Sequence, residues 1–308
     1  MTAKSLWAIV CAVVCLALTA ASAGADTLPA GARSASSAIL GAEAYCCGAL
    51  PPPGFHLLDY NLYYYADDLK GQDGGNVNGA PFTDFEASAL ATVIRPIYVS
   101  DKTLFGANMA WHAVIPIIHK NQNSDFFDDN MDGFGDIYVS PLILGWHNPP
   151  WHWVVGLDVI APTGKYSDSD VTTIGNHHWT FEPALAISYM GDNGIHADVK
   201  LMYDFHTRDS TLDYREAQQL HLDYNVGLML GSEKEWKVGL CGYYLASMDE
   251  DKGPAGHIDD SEEEVFAIGP SIMYTKGKFF AEAKVQFEME AQNRPEGTSA
   301  WLKIGYSF

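Results

Sequence analysis

Apolar and polar residues alternate over long stretches of this sequence, and the alternation limits the folds that the chain can adopt. The clearest stretch is IHADVKLMYDFH (195–206), where every odd position is apolar or aromatic and every even position except Met202 is polar or charged. Side chains of an extended chain point to opposite faces in turn, whereas a helix repeats about every 3.6 residues. The stretch therefore predicts a β-strand with one apolar and one polar face.

Eleven further stretches have the same period: 55–66, 82–99, 102–118, 134–147, 151–162, 178–190, 216–231, 235–247, 262–275, 277–290 and 298–308. Their connections alternate in length, since short turns such as NPP (148–150) are followed by longer polar loops, the longest being 248–261. An even number of antiparallel strands with short turns at one end and longer loops at the other is typical of outer-membrane barrels. We expect a 12-stranded antiparallel up-and-down transmembrane β-barrel over residues 55–308.

The aromatic residues on the apolar faces indicate what those faces contact. A soluble barrel or sandwich also alternates, but with its apolar face turned inward, so the period alone does not decide. Aromatic residues recur in pairs eight to ten positions apart: Trp179 with Tyr189, Trp236 with Tyr244, Phe266 with Tyr274, and Phe279 with Phe287. In tilted strands this spacing gives a band roughly 20 to 25 Å tall, as expected for aromatic girdles on both sides of a hydrocarbon layer. The apolar faces are therefore predicted to contact lipid.

The first 23 residues have the features of a secretory signal peptide. One lysine precedes a 15-residue apolar stretch (6–20), and small residues allow cleavage after Ala23 or Ala25. The alternative is a short anchor helix, but the stretch is shorter than the ~20 residues that a spanning helix needs. We expect export without a lipid anchor, because neither cleavage point is followed by a cysteine.

The composition of the mature chain excludes several classes of protein. With 47% hydrophobic and 19% charged residues, the chain is neither disordered nor a helical membrane protein. Loss of Lys4 leaves 17 Lys and Arg against 39 Asp and Glu, a formal charge of 17 − 39 = −22, which argues against nucleic acid as a partner. Three cysteines remain, Cys46, Cys47 and Cys241, an odd number that predicts no disulfide framework. No cofactor is expected.

The two ends of the mature chain have separate roles. Residues 24–54 are expected to form a periplasmic segment or, preferably, a plug inside the lumen, in which Cys46 or Cys47 could approach Cys241. At the other end, an alternating strand ends on the aromatic residues Tyr306 and Phe308. Barrel precursors have such a C-terminal aromatic residue in common, and we expect their assembly machinery to recognise it here. The expected location is the outer membrane of a Gram-negative bacterium. Its lipid and lipopolysaccharide and the barrel assembly machinery are the expected partners.

Four segments together resemble a known family: PPPGFHLLDYNLYYYADDL (51–69), DGFGDIYVSPLILGW (132–146), APTGKY (161–166) and IGNHHWTFEPALAISY (174–189). From about Ala44 to the C-terminus, the sequence is similar to the phenol-degradation meta-pathway outer-membrane proteins. The resemblance implies a barrel that transports small hydrophobic or aromatic compounds. It implies no particular catalytic or binding residues.

The polar residues of the strands are expected to face the lumen, where most would pair across the barrel and some would line a solute pathway. The pathway candidates are Asp59, Asn108, His112, Asp136, Asp158, Glu182, His196, Asp198, Lys200, Glu282 and Lys284. The same pattern places Asp204 and His221 inside. Aromatic contacts near the outer mouth are expected from Tyr63, Tyr65 and Phe82.

Two short motifs raise the question of a metal ion. DDNMDG (128–133) resembles the opening half of a calcium loop, with possible ligands at Asp128, Asn130 and Asp132, but the closing glutamate is replaced by Val139. The adjacent histidines at 177–178 would point to opposite faces of an extended chain, and no third His or Cys lies at ligand spacing. We expect no metal site, and at most weak attraction of divalent ions to the loop at 128–133.

The sequence gives little support for catalysis. An enzyme acting on lipid would need Ser, His and an acid on the lipid-facing side, where the predicted pattern places His56 without a serine partner. The GxSxG motif is missing as well. A structural or adhesive barrel, whose acidic loop runs at 249–251 and 261–264 carry its function, is the third possibility. The expected function is passive uptake of small hydrophobic, aromatic compounds such as phenol.

Overall fold

The computed structural model describes residues 38–167 and 170–308. The predicted signal peptide and the first part of the 24–54 segment lie outside the described residues. Within these ranges, no helix has the length and apolarity that crossing a bilayer requires. Residues 38–53, which precede the first strand, are referred to as the N-terminal segment.

The described residues form fifteen strands, all antiparallel to their neighbours. They are β1 (Gly54–Leu69), β2 (Glu86–Leu104), β3 (Ala107–Ser124), β4 (Phe127–Phe134), β5 (Ile137–Asn148), β6 (Trp151–Ala161), β7 (Thr180–Met190), β8 (Ile195–His206), β9 (Gln219–Leu230), β10 (Trp236–Ser247), β11 (Lys252–Gly253), β12 (Gly256–His257), β13 (Glu264–Lys276), β14 (Phe279–Gln292) and β15 (Pro295–Ser307).

Twelve of these strands close into a barrel, which confirms the predicted fold. Each pairs with the next in chain order, and β1 pairs with both β2 and β15. The two remaining two-residue strands, β11 and β12, form a separate ladder in one loop. β4 pairs with the outer half of β3, and β5 pairs with its inner half. β3 and β4 therefore form a hairpin that extends beyond the barrel wall. The start of β1 and the end of β15 lie at the end of the barrel that carries the short turns, which is the periplasmic end of such a barrel.

The outer surface of the barrel is apolar, as predicted. Aliphatic side chains such as Leu240 and Val226 are 54% and 60% exposed. The aromatic rings lie near the ends of the strands, and neighbouring rings are in contact, for example Trp236 with Tyr274 at 4.5 Å between centroids. So much exposed apolar area is unfavourable in water and favourable in lipid. The barrel therefore spans a membrane, with its polar faces turned to the lumen.

Strand β1 has the opposite orientation to the predicted one. Alternate residues from His56 to Tyr64 face the lumen, while Asp59 and Asn61 face outward between lipid-facing residues such as Leu302 and Ile304. The prediction was wrong here because β1 carries apolar residues on both faces. Its inward Leu58 packs in a buried cluster against the N-terminal segment, so polarity does not mark the lumen side on this strand.

Two connections also differ from the prediction. The expected long loop before the last strand is a two-residue turn, because β14 and β15 extend further than their alternating patterns. Asn293 in that turn adopts φ +53°, a left-handed conformation that asparagine tolerates. The calcium-like motif at 128–133 lies within β4, where Asp128, Asn130 and Asp132 are exposed along an extended strand rather than wrapped around a centre.

Candidate functional site

The N-terminal segment lies inside the barrel. The backbone N–H groups of Gly41 and Glu43 donate to the two carboxylate oxygens of Asp223 on β9, at 2.9 and 2.8 Å. The N–H of Gly48 donates to the hydroxyl of Ser188 on β7, at 2.9 Å. These acceptors face the lumen from different strands, so the segment is fixed to the wall at several points and does not pair as a further strand.

Packing of the segment on the wall is close enough to require glycine at position 41. Gly41 has φ +69°, in the left-handed region that glycine adopts freely. A β-carbon there would lie 2.4 Å from Oε1 of Gln286 and 2.5 Å from the ring of Tyr243. The segment therefore contacts the inner wall directly at this point.

A chain of charged side chains crosses the lumen at the level of Glu43. Its carboxylate accepts from Nζ of Lys303 at 2.6 Å and from Nη1 of Arg95 at 2.5 Å. Arg95 also donates to Nδ1 of His112 at 2.8 Å, and Nε2 of His112 donates to Asp158 at 2.8 Å. We call these five residues the central charge network. It links the N-terminal segment to strands β15, β2, β3 and β6.

One cavity lies on each side of this network. The outer chamber, of about 280 Å³, is lined mainly by apolar and aromatic side chains that include Leu62, Val93, Ile118, Tyr138 and Trp301. The inner chamber, of about 390 Å³, opens toward the periplasmic end and is lined by residues such as Leu50, Ile97, Ile143, Val154 and Phe280. A space of about 50 Å³ beside the network lies between them. The lumen is therefore an interrupted pathway with an apolar chamber at each end.

The predicted pathway residues occupy four kinds of position. Eight lie on the inner face of the barrel: His112, Asp158, Glu182, His196, Asp198, Glu282 and Lys284 are buried, and Lys200 is half-buried. Asp136 borders the outer chamber, where it accepts from the N–H groups of Gly164 and Asn176. Asn108 is half-buried near the periplasmic end of β3. Asp59 was predicted incorrectly, because the orientation of β1 turns it toward lipid.

Two of the three predicted mouth aromatics, Tyr63 and Tyr65, also face away from the lumen. Tyr63 and Tyr65 are exposed on the outer face, while Tyr64 between them points inward. Tyr64 and Tyr243 each donate from their hydroxyl to Glu288, both at 2.7 Å, at the edge of the outer chamber. The sequence indicated this pair only through the alternating pattern of β1, and the prediction assigned the two faces of that strand the wrong way round.

Phe82 lies in the first outer loop. Its ring contacts those of Phe85 and Phe127, with centroids 6.4 and 6.2 Å apart. The three rings hold the loop against β4, so Phe82 packs within the loop cluster. Outward Tyr306 and Phe308 are exposed at the periplasmic end, with their rings 5.1 Å apart.

His56 also differs from the expectation. It is buried rather than outward, and it has a serine partner, since its Nδ1 lies 2.8 Å from Oγ of Ser307. Its Nε2 lies 2.8 Å from the backbone carbonyl oxygen of Pro52. The pair joins the first strand to the last and connects both to the N-terminal segment.

The three cysteines among the described residues, Cys46, Cys47 and Cys241, are free. Cys46 packs against the buried cluster that contains Cys241, as expected if the segment enters the lumen. Its Sγ lies 3.6 Å from Nζ of Lys237 and 4.0 Å from Nε2 of His196.

Acidic groups lie under the outer loops. Glu263 pairs with Arg294 at 3.2 Å, yet burial raises the pKa of Glu263 to about 7. Burial also raises the pKa of Glu216 and that of Asp251, and the other acids nearby act in the same direction. Protons bound here would reduce the mutual repulsion of these carboxylates.

His178 has partners that the sequence did not reveal. Its Nε2 lies 3.2 Å from Nδ1 of His206 and 3.5 Å from Oε2 of Glu216. These residues come from three separate parts of the chain. No spacing in the sequence could therefore have marked them as a group.

Comparison with known proteins gives one family and several solved structures. The family model described as "Putative MetA-pathway of phenol degradation" matches residues 66–304. Among curated proteins, none matches this sequence.

The crystal structure of an outer membrane channel from Pseudomonas putida F1 aligns with a TM-score of 0.74 and 14% identity, covering 85% of this chain and 97% of that one. The beta domain of the Bordetella autotransporter BrkA aligns at 0.47 with 10% identity, over 83% of this chain and 100% of that one. A deletion mutant of the monoaromatic hydrocarbon channel TodX aligns with a TM-score of 0.45 and 7% identity, covering 83% of this chain and 91% of that one. The P. putida alignment shows the fold of an outer-membrane barrel. Together with the lipid-facing surface described above, this fold places the chain in the outer membrane of a Gram-negative bacterium.

Proposed function

The chain belongs to the MetA-pathway phenol-degradation family, and from that premise we propose that it is an outer-membrane channel for passive uptake of small hydrophobic, aromatic compounds. The P. putida structure is described as an outer membrane channel, and its similar fold supports this proposal.

The observation that carries the proposal is the pair of largely apolar chambers inside a closed barrel. An apolar cavity of about 150 Å³ is large enough for benzene. The outer chamber has about 280 Å³ and the inner one about 390 Å³, so each accommodates a molecule of phenol size. At the edge of the outer chamber, the Tyr64, Tyr243 and Glu288 group offers hydrogen-bonding partners to a phenolic hydroxyl.

We further propose that the N-terminal segment is the plug of this channel. The described part of it lies between the two chambers and is held by individual hydrogen bonds and by the central charge network. Each such hydrogen bond contributes about 1 kcal/mol, so displacement of the segment costs far less than opening a strand pair. The signal peptide and the portion before Ala38 remain predictions.

Uptake measurements test the channel. Cells that lack the protein should take up labelled phenol and toluene slowly at low concentration, and the wild-type gene should restore the rate. Asp129→Asn, which alters a carboxylate that accepts from Thr172 outside both chambers, is the matched control and should restore it equally. An unchanged rate in the deletion strain, together with purified protein that adds no phenol flux to liposomes, would contradict the proposal.

We propose a channel rather than an enzyme acting on lipid. His56 and Ser307 form the Ser–His contact that the sequence analysis had not expected, but His56 is oriented by a backbone carbonyl instead of an acid. The buried histidine also faces the lumen and not the lipid. Release of fatty acids from phospholipid or lipopolysaccharide by the purified protein, lost in Ser307→Ala, would show an enzyme instead. Loss of adhesion with normal uptake in deletion cells would favour the adhesive alternative.

A further inference from the structure

Three side chains with metal-binding groups converge inside the barrel, on the neighbouring strands β7, β8 and β9. Nε2 of His221 lies 3.3 Å from Oδ2 of Asp204 and 3.6 Å from Oε2 of Glu182. The ligand atoms of all three residues lie within 4.8 Å of one another. We call this group the inner triad.

Four polar atoms of the inner triad, on Asp204 and His221, are buried without a hydrogen bond, although Nε2 of His221 lies within ion-pair distance of both acids. Asp204 is 0% exposed, and neither of its carboxylate oxygens has a hydrogen-bond partner. His221 is 1% exposed, and neither of its ring nitrogens has one. Buried polar groups are almost always satisfied, so several unsatisfied atoms that converge on one point indicate a missing partner.

We propose that the inner triad binds one divalent transition-metal cation of the Zn²⁺ type. Bonds of about 2.0 to 2.2 Å to a tetrahedral zinc ion place neighbouring ligand atoms roughly 3.3 to 3.6 Å apart. The two distances from His221 Nε2 match those edges, and the fourth position is left for water or a passing solute.

The chemistry of the ligands favours zinc over the common hard cations. One imidazole and two carboxylates suit Zn²⁺, whereas Ca²⁺ takes six to eight oxygen ligands and Mg²⁺ retains most of its water. Lys200 lies 3.8 Å from the other oxygen of Glu182, Oε1, which leaves Oε2 directed at the proposed ion. The lysine therefore orients a ligand without occupying the metal position.

A second triad, of two histidines and one carboxylate, lies on the extracellular side of the first. His206 is two residues from Asp204 on the same face of β8, and it contacts His178, which in turn contacts Glu216. Nε2 of His206 is also without a hydrogen bond. This outer triad gives a cation from the loops a route with suitable ligands down to the inner triad.

The proposal goes beyond the uptake of aromatic compounds and stands independently of it. Purified full-length barrel, freed of metal by chelation, is titrated with Zn²⁺ in a calorimeter, and Co²⁺ is added separately as a spectroscopic probe. We expect binding of Zn²⁺ at the inner triad and visible absorption of tetrahedral Co²⁺. Asp204→Asn should weaken Zn²⁺ binding at least tenfold, while Asp129→Asn should leave it unchanged. The shift of the folded barrel on an unheated gel shows that each variant is assembled.

Zinc-edge anomalous diffraction of the metal-loaded protein identifies the position, and a peak between Asp204, His221 and Glu182 is the expected result. His221→Gln serves as the second ligand variant if Asp204→Asn fails to assemble, and it should weaken binding equally. The proposal is overturned if Zn²⁺ does not bind, if both ligand variants keep wild-type affinity, or if the anomalous peak lies only at the outer triad. In any of these cases the inner triad is an internal ion pair of His221 with two acids.

Discussion

At the scale of single residues, Glu43 holds the N-terminal segment to the barrel wall through two ion pairs, with Lys303 and Arg95. Glu43→Gln keeps the size of the side chain and removes its charge, which leaves Lys303 and Arg95 without their carboxylate. Breaking a buried pair in this way costs about 3 kcal/mol. We expect the segment to leave its position more often and the conductance of single channels in planar bilayers to rise.

Asp68→Asn is the control for this experiment, because Asp68 pairs with Lys70 at the surface and such pairs contribute little. Its conductance should equal that of the wild type. Wild-type conductance in Glu43→Gln would mean that the segment does not obstruct the lumen.

Glu263 gives the outer loops a dependence on pH. Its pKa is raised from 4.5 to about 7 by burial, so the folded state holds the proton more tightly than the unfolded state. The stability of the outer loops around Glu263 is therefore greatest below about pH 4.5 and falls as the pH rises toward 7, by roughly 3 kcal/mol at most. Loop cleavage by an added protease should be slower at pH 5 than at pH 8.

Glu263→Gln should reduce this difference between pH 5 and pH 8, because glutamine does not titrate. An equal difference in the variant would assign the pH dependence to other groups, such as Glu216 or Asp251, whose pKa values burial also raises.

The sequence predicted single residues well only where polarity and strand face agree. On β8, for example, His196, Asp198 and Lys200 face inward as expected, because their outward neighbours are apolar. On β1 the same reasoning failed for Asp59 and Tyr63, because the inward face is apolar as well. Contacts between distant strands, such as His178 with His206, could not be derived from spacing at all.

At the scale of elements, the contact between the first and last strands closes the barrel. His56→Ala removes the hydrogen bonds to Ser307 and to the Pro52 carbonyl, which should cost about 1 to 3 kcal/mol. The temperature at which the folded band disappears on a gel should fall. His119→Ala is the control, since His119 is an exposed histidine of β3 near the outer loops. An equal effect of both variants would show that the strand contact has no special role.

The end of β15 carries a second prediction. Phe308 is 64% exposed toward lipid, and its ring lies 5.5 Å from that of Phe55. We propose that it and Tyr306 are recognised by the assembly machinery, so Phe308→Ala should lower the fraction of folded barrel in the membrane several-fold. Refolding of the purified variant in detergent should remain normal. A defect in detergent as well would mean that the ring acts on stability rather than on recognition.

Strand positions were the most predictable elements, because twelve regions of period two map onto the twelve barrel strands within a few residues. Short and long connections alternate as predicted, except between β14 and β15, where both strands continue to a short turn at Asn293. The β4 extension was missed because Asp128–Gly133 is polar on both faces and reads as a loop. There the hydrogen bonds of a hairpin, not burial, determine the structure.

At the scale of the whole molecule, closure of the sheet and the apolar outer surface were both predictable from the sequence. A plug formed by residues 24–54 was expected from the sequence, but its individual contacts were not, because the N-terminal segment has no strand period and several of its partners, such as Ser188 and Asp223, are 140 or more positions away. The inner triad likewise depends on three strands being side by side. No spacing in the sequence brings Glu182, Asp204 and His221 together.

The arrangement of one chamber on each side of the central charge network has a kinetic consequence. Each chamber has room for only a few aromatic molecules, and the proposed plug between them has to shift before one can pass. Influx of phenol should therefore level off at high external concentration, as in a carrier, while an open pore would give a flux that rises in proportion. If the influx of phenol rises linearly with its external concentration in wild-type cells, and no variant shows saturation, then solutes bypass the two chambers.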